Sequence, residues 1–204
     1  PLQPPAVFAD KEHDISGFTP VPSRRSPSGE ECQDGTATLL CRWNHKSVIH
    51  CEEGKYNLLG NAFHNFIALN PQQERREIAE RLLKNWTVNN GVSPETLMEC
   101  TDNLYNWIAE TWPEAKISCE VPMTYHDENG TLYQGFIDML LELPDGYVII
   151  DHKTHPMAFD AESYAATCAG QLRLYRKAVE TATGKPVKRT IIHLPNLGMC
   201  FEVK

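Results

Sequence analysis

Three charged side chains, Asp138, Asp151 and Lys153, interrupt the otherwise apolar run GFIDMLLELPDGYVIIDHKT. Asp151 and Lys153 are two residues apart, so on a strand both point to one face. Asp138 lies on the preceding apolar segment, and the midpoint between Asp138 and Asp151 falls at Pro144–Asp145. A hairpin with an even loop of two or four residues would set the two carboxylates opposite each other on one face. A three-residue loop with a Gly bulge would separate them. Two adjacent carboxylates repel and raise one pKa unless a cation lies between them. A divalent metal resolves that conflict, and hard carboxylate oxygens suit Mg²⁺ or Mn²⁺. Lys153 could then orient a water or stabilise charge developing at phosphorus. The plainer alternative is a salt-bridged, half-exposed edge hairpin, which is the usual meaning of an isolated D-x-K.

Two further sets of residues carry chemistry. Gly60 and His64 in LLGNAFHNFI stand one helical turn apart on one face, glycine letting backbone approach where the imidazole projects. Among so many apolar neighbours, a hydrogen-bonded core histidine is the ordinary reading of His64. Tyr164, Cys168, Gln171 and Tyr175 fall at i, i+4, i+7 and i+11, one stripe of a helix. An amide on a buried stripe needs a partner, which singles out Gln171, whereas Tyr175 fits a core equally well.

The elements that must position these groups follow from periodicity. YNLLGNAFHNFIALN places Leu59, Ala62, Phe63, Phe66 and Ile67 at helical spacing and is stopped by Pro71. QQERREIAERLLKNW (72–86) is a second amphipathic helix. Ser93 as N-cap and Pro94 at the first helical position open a third, with Thr96–Trp112 as its body. The period then changes to two: AKISCEVPMTYH, a turn at ENG, LYQGFIDMLLEL and GYVIIDHKT form a meander of three strands. One long helix covers DAESYAATCAGQLRLYRKAVETATG, and VKRTIIHLP and MCFEVK close the chain as strands. The expected fold is α/β (or α+β), a central mixed sheet flanked by helices. TATLLCRWNHKSVIHC (36–51) predicts one or two short strands, and the proline-rich residues 1–35 predict irregular chain.

The 204 residues suffice for one domain with a full core. The net charge of −8 argues against a surface coated with nucleic-acid contacts, while leaving room for a local basic patch. No apolar run reaches the roughly 18 residues of a membrane span, and PLQPPAVFAD lacks the pattern of a signal peptide. With no initiator Met, the sequence suggests a processed chain or a domain of a longer protein. Seven cysteines without a C-x-x-C pair suggest reduced thiols and a cytoplasmic location. No G-x-x-x-x-G-K-[ST], G-x-S-x-G or H-E-x-x-H is present, which removes a phosphate-loop motor, a serine hydrolase and that zinc site from consideration.

Taken together, the motifs resemble the PD-(D/E)XK nuclease superfamily in its RecB/AddA-type branch. GFID and DHKT resemble the strand motifs Gly-x-Ile-Asp and Asp-x-Lys-Thr; LGNAFHNFI resembles the upstream Gly-x-x-x-His helix; and QLRLY resembles the downstream Gln-Leu-x-x-Tyr helix. They occur in the branch's order between residue 58 and about residue 179. PSRRSPSG is loosely similar to the lead-in of this domain in UvrD-like helicase–nucleases.

The resemblance implies a restriction-endonuclease-like core and hydrolytic cleavage of phosphodiester bonds in DNA, with exonuclease action on single-stranded ends in double-strand-break repair. It implies that His64, Asp138, Asp151 and the carbonyl of His152 hold Mg²⁺ or Mn²⁺. Lys153 would position the attacking water, and Gln171 and Tyr175 would orient Lys153 or the DNA backbone. Glu120, at a place often acidic in relatives, is expected either to join the site or to be an exposed strand residue. Arg173, Arg176, Lys177, Lys185, Lys188 and Arg189 form the nearest basic cluster; most of it reads as solvated helix face, and it is the first place to look for strand contacts. Helicase motor domains are implied as partners, in the same parent chain or in a separate protein of the same complex. The iron–sulfur cluster of some relatives is not expected, because only Cys168 and Cys200 follow Lys153. Residues 1–45 would be a lead-in packed on or leading into a nuclease domain at 46–204. The rival implied function is a catalytically silent nuclease fold that binds or gates DNA or scaffolds a repair complex.

Overall fold

A computed structural model describes residues 24–30, 32–44, 49, 51–52, 54–156 and 160–204. Among these, the elements run β1 (Arg24–Arg25), a short 3-10 turn at Pro27–Gly29, β2 (Ala37–Arg42), α1 (Tyr56–Leu69), α2 (Arg75–Asn85) and α3 (Pro94–Thr111). Then follow β3 (Lys116–His126), β4 (Leu132–Leu143), β5 (Gly146–His152), α4 (Ala161–Thr167), α5 (Ala169–Thr183), β6 (Val187–Leu194) and β7 (Met199–Val203). The seven strands form one mixed sheet in the order β1-β4-β5-β6-β7-β2, with β3 on the other side of β4. Five α-helices flank it, which is the expected α/β class. No helix among the described residues is long and apolar enough to cross a membrane.

Two apolar cores sandwich the sheet. Leu59, Phe63 and Phe66 of α1, Leu83 of α2 and Leu97 and Leu104 of α3 pack on Met139, Leu141, Val148 and Ile150. On the opposite face Leu172, Tyr175 and Val179 of α5 pack on Ile137, Ile149 and Ile192. Along β5 this is the strict alternation of a strand buried on both faces. Along β3 and β4 the alternation breaks. Cys119 and Met139 belong to the α1–α3 side, yet Val121 and Ile137, two residues on, belong to the α5 side. The break coincides with Glu120, whose φ of 51° is left-handed, a rare conformation for a non-glycine residue inside a strand. Glu120 and Asp138 thus sit where the two strands exchange faces.

The hairpin keeps an even register. Leu143 pairs with Gly146 across the two-residue turn Pro144–Asp145, and the ladder runs back to Met139↔Ile150. One step further places Asp138 opposite Asp151, as the sequence required of a shared site. At that step the strand ladder ends and a side chain takes over: the His152 N–H donates to Asp138 Oδ2 at 2.7 Å.

Gly146 has a steric role as well. A Cβ there would lie 2.4 Å from the Pro186 carbonyl oxygen, which accepts the Tyr147 N–H. Gly146→Ala is therefore expected to destabilise the chain by ~1–3 kcal/mol, read as a lower urea midpoint with an unchanged slope. An unshifted midpoint would show that this approach is slack.

Several expectations are corrected. The helix drawn over 160–184 is two helices: the Cys168 N–H bonds to Ala165 O rather than continuing the α-helical ladder, and α4 ends there. Part of the irregular lead-in joins the sheet, since Arg24 and Arg25 pair in parallel with Leu132 and Tyr133. Within 36–51, residues Ala37–Arg42 form an edge strand on β7; residues 45–48 and 50, like the prolines of 1–23, lie outside the described residues. The capping expectation for α3 holds: Ser93 Oγ accepts the Thr96 N–H at 3.2 Å, and Pro94 opens the helix.

Candidate active site

The site assembles where α1 crosses the middle of β4 and the C-terminal end of β5. His64 projects from α1, and its Nε2 lies 2.7 Å from the carbonyl oxygen of His152. A carbonyl can only accept, so Nε2 carries the proton. The other ring nitrogen, Nδ1, faces Asp138 Oδ2 at 3.6 Å. In a neutral imidazole that contact is lone pair against carboxylate, which a proton or a metal ion between them would satisfy. Gly60 explains how α1 comes so close, since a Cβ there would stand 3.2 Å from Thr154 Oγ1. That hydroxyl donates to Tyr56 O at 2.7 Å and ties the first turn of α1 to the chain after β5.

Asp138 is mostly buried beside a second carboxylate. Burial first, and then the Asp151 charge, push its pKa well above the usual carboxylate range, against the opposing effects of Lys153 and the His152 N–H. Asp151 is 1% exposed. Its Oδ2 meets Lys153 Nζ at 2.5 Å and its Oδ1 accepts from Gln171 Nε2 at 2.9 Å. Burial alone would lower the Lys153 pKa, but the charges of Asp151 and Asp138 outweigh it and hold the ammonium above its ordinary value. Lys153 is thus a fixed cation at the edge of the site.

Gln171 bonds directly to Asp151, and Tyr175 reaches that carboxylate only through Gln171. Gln171 Nε2 also donates to Tyr175 Oη at 2.9 Å, and that hydroxyl donates to Phe136 O at 2.8 Å. The relay ties α5 to β4 two residues before Asp138. His64, with 27% of its side chain exposed, is not a core residue, whereas Tyr175 packs in the α5-side core and makes these hydrogen bonds as well.

His152 contributes backbone to the site, and its side chain, on the opposite face of β5 from Asp151, stands edge-on to the His64 ring with centroids 5.5 Å apart. There its Nδ1 lies 3.1 Å from Nδ1 of His193. Burial, then His193, His64 and Lys153, keep the imidazole neutral, with its pKa well below the ordinary value.

Glu120 is the residue whose part the sequence left undecided. Ligating atoms of His64, Glu120 and Asp138 lie within 4.8 Å of one another. One imidazole and two carboxylates form a donor set for a hard divalent ion. The neighbouring carboxylates of Asp138 and Asp151, and the His64 Nδ1 facing Asp138 at 3.6 Å, fit a cation at this place. Asp151, expected as a ligand, has both oxygens engaged by Lys153 and Gln171. Nothing in the sequence around Glu120 announced its left-handed backbone, which breaks the alternation of β3 at this point.

The basic cluster is largely neutralised. Arg173 pairs with Asp34 (2.7 Å), Arg176 with Glu180 (3.9 Å), Lys185 with Glu142 (3.8 Å), Lys188 with Asp145 (2.8 Å) and Arg189 with Glu202 (3.9 Å). These are mainly exposed pairs of the solvated surface, so the cluster does not present a row of free cations.

Comparison with known proteins agrees with this geometry. A family model described as the PD-(D/E)XK nuclease superfamily matches residues 42–200, most of the chain. The chain belongs to the PD-(D/E)XK nuclease superfamily. Within this superfamily it is similar to an ATP-dependent helicase/nuclease subunit of Desulforamulus reducens, 38% identical over 72 residues, covering 35% of this chain and 6% of the relative. It is also similar to the proteins of the same name from Pelotomaculum thermopropionicum (36% over 93 residues; 45% and 7%) and Carboxydothermus hydrogenoformans (42% over 67 residues; 32% and 6%). The matched stretch thus spans less than a tenth of each of these longer relatives.

Proposed function

We propose that this PD-(D/E)XK chain is a Mg²⁺- or Mn²⁺-dependent deoxyribonuclease module, acting exonucleolytically on single-stranded DNA ends. It would serve a helicase–nuclease of double-strand-break repair, with motor domains in the same parent protein or in a partner. The named relatives support that setting, and a cytoplasmic location goes with it. Residues 46–204 would form the nuclease domain proper, and 1–45 its lead-in. The observation that carries the proposal is the convergence of His64, Glu120 and Asp138 beside the Asp151–Lys153 ion pair.

His64, Asp138 and Glu120 would hold the metal ion, with the His152 carbonyl beside His64 and Asp151 completing the charge around it. When bound, a divalent ion supplies Lewis-acid polarisation of a phosphoryl oxygen and a more acidic water. The chain's own residues do the rest. The Lys153 ammonium, fixed by Asp151, is placed to hold a water and to offset negative charge growing on the phosphorane oxygens. Gln171 and Tyr175 are positioning residues that keep the Asp151 carboxylate, and through it Lys153, in place.

Degradation of linear and circular single-stranded DNA in Mn²⁺ tests the proposal. Linear strands carrying an end label should be shortened while circles persist. Cleavage of both at equal rates would overturn the exonuclease mode, and cleavage of neither would overturn the nuclease reading. Glu120→Gln should raise the Mn²⁺ concentration needed for half-maximal rate by at least about tenfold, following the loss of a charged ligand. Gln171→Ala should lower the rate at saturating DNA by about 10–100-fold, the usual effect of removing a group that orients site residues. A rate within twofold of wild type would show that Asp151 needs no such support.

A further inference from the structure

Three hollows meet at the candidate active site and form one trough. A cleft of about 780 Å³ shares Lys153 and Tyr164 with one of about 360 Å³, which shares Asn61 and His64 with a third of about 630 Å³. Among the described residues lining them, Lys153 is the one Lys or Arg, and Asp151 already faces its ammonium at 2.5 Å. Two carboxylates, Glu30 and Glu120, line the trough as well. Proteins that grip a strand through its phosphates line the path with cations, and their affinity falls steeply with salt. Among the described residues this trough lacks that lining, and the chain as a whole carries a net charge of −8.

What the trough offers at Lys153 is an aromatic ring held in place. Tyr164 borders both clefts that meet at Lys153. One face of its ring lies flat on His155, with centroids 4.3 Å apart and planes 7° apart. His155 is itself fixed, its Nε2 2.7 Å from Asp160 Oδ1 and its carbonyl accepting Asn196 Nδ2 at 2.7 Å. A ring backed in this way loses little freedom when a further ring stacks on it. Bases offer such a face to any aromatic platform once they are unpaired, and stacking tolerates every sequence.

We propose that Tyr164 is a base-stacking platform that positions the nucleotide next to the scissile phosphate, in a trough that takes single strands by stacking rather than by phosphate charge. Which phosphate is cut rests on the nuclease reading above; the binding mode stands on the trough itself. Duplex DNA, with its bases already stacked and paired, gives the platform nothing to hold.

Fluorescence anisotropy of a labelled oligothymidylate with the metal-free chain tests this without requiring cleavage. The logarithm of affinity should fall with the logarithm of salt with a slope no steeper than about −1, against about −0.7 for each phosphate charge neutralised on a single strand. Tyr164→Ala should weaken binding about tenfold or more, Tyr164→Phe should stay within about twofold, and an abasic strand of equal length should bind wild type no better than the thymidylate binds Tyr164→Ala. A slope of about −3 or steeper, a silent Tyr164→Ala, equal binding of the abasic strand, or no binding by wild type would each overturn the inference. Binding of the expected kind without cleavage in Mn²⁺ would overturn the nuclease reading and leave this inference standing. Cleavage with a steep salt slope would do the reverse.

Discussion

Asp138→Asn is expected to melt at a higher temperature than the wild-type chain in metal-free buffer and to cleave no DNA. Both effects have one cause. In the absence of metal, Asp138 is a buried carboxylate beside Asp151, and its pKa stands well above the usual range because of burial first and that neighbouring charge second. A raised pKa in the folded state means that the folded form binds the proton more tightly than the unfolded form. The stabilisation from the protonated acid is fully present below the unfolded value near 3.9 and is lost as the pH rises through the folded value. Asparagine never ionises, and its carbonyl still accepts the His152 N–H. The gain should therefore be ~1–2 kcal/mol at pH 8, or about 2–8 °C for a chain of this size. It should shrink on acidification and vanish near pH 4. Differential scanning fluorimetry in EDTA at pH 8, 6 and 4 measures it. With metal added the order should reverse: wild type gains up to ~2.7 kcal/mol at a hundredfold excess over the dissociation constant, and Asp138→Asn gains much less. A variant less stable than wild type at pH 8 in EDTA would mean that Asp138 is a satisfied structural residue.

Lys153→Ala carries the second large effect, in the opposite direction for stability. Its partner Asp151 is 1% exposed, and Lys153 Nζ stands 2.5 Å from Oδ2. Removing one member of such a pair leaves a buried charge supported by the Gln171 amide, at a cost of ~3–5 kcal/mol. Cleavage should fall by at least about 10²–10³-fold, the usual loss when one group that stabilises transition-state charge is removed. The double variant Asp151→Asn/Lys153→Met has no unpaired charge and should be more stable than Lys153→Ala alone, although equally inactive. That non-additivity is the signature of a direct pair. A divalent ion should also stabilise Lys153→Ala more than it stabilises wild type, because it supplies the positive charge that the substitution took away. Additive losses in urea unfolding would show that the two side chains do not depend on each other.

The strands of the hairpin were readable because their information is local. They follow from apolar periodicity, whereas the sequence left the loop open between an even one and a three-residue one with a Gly bulge. The two-residue turn Pro144–Asp145 is what carries Asp138 and Asp151 to one level. The helices α1 to α3 were readable for a similar reason, from apolar spacing and from Ser93 and Pro94 at the start of α3. Glu120 was not, because its left-handed φ depends on the exchange of faces between β3 and β4, and no turn residue marks it. The break at Cys168 was hidden too: Ala-Ala-Thr-Cys-Ala-Gly reads as continuous helix, and the interruption shows only in the packing of α4 on β2 and β7 and of α5 on β3, β5 and β6. Gln171 was singled out correctly as an amide needing a partner, but sequence could not say that the partner is Asp151 rather than Lys153. The basic cluster reads in sequence mostly as solvated helix face, and in space Arg173, Lys185 and Lys188 find Asp34, Glu142 and Asp145 there.

If His64, Glu120, Asp138, Asp151 and Lys153 converge to form a metal-dependent phosphodiesterase site, single-turnover cleavage will show it. End-labelled single-stranded DNA is mixed with protein in excess, and Mn²⁺ is added or withheld. Wild type should cleave the strand, EDTA should abolish that cleavage, and Asp138→Asn and Lys153→Ala should each reduce it by at least about a hundredfold. Cleavage that persists in EDTA, or that the two variants retain at the wild-type rate, would contradict such a site, as would a wild-type chain that leaves the strand intact in Mn²⁺.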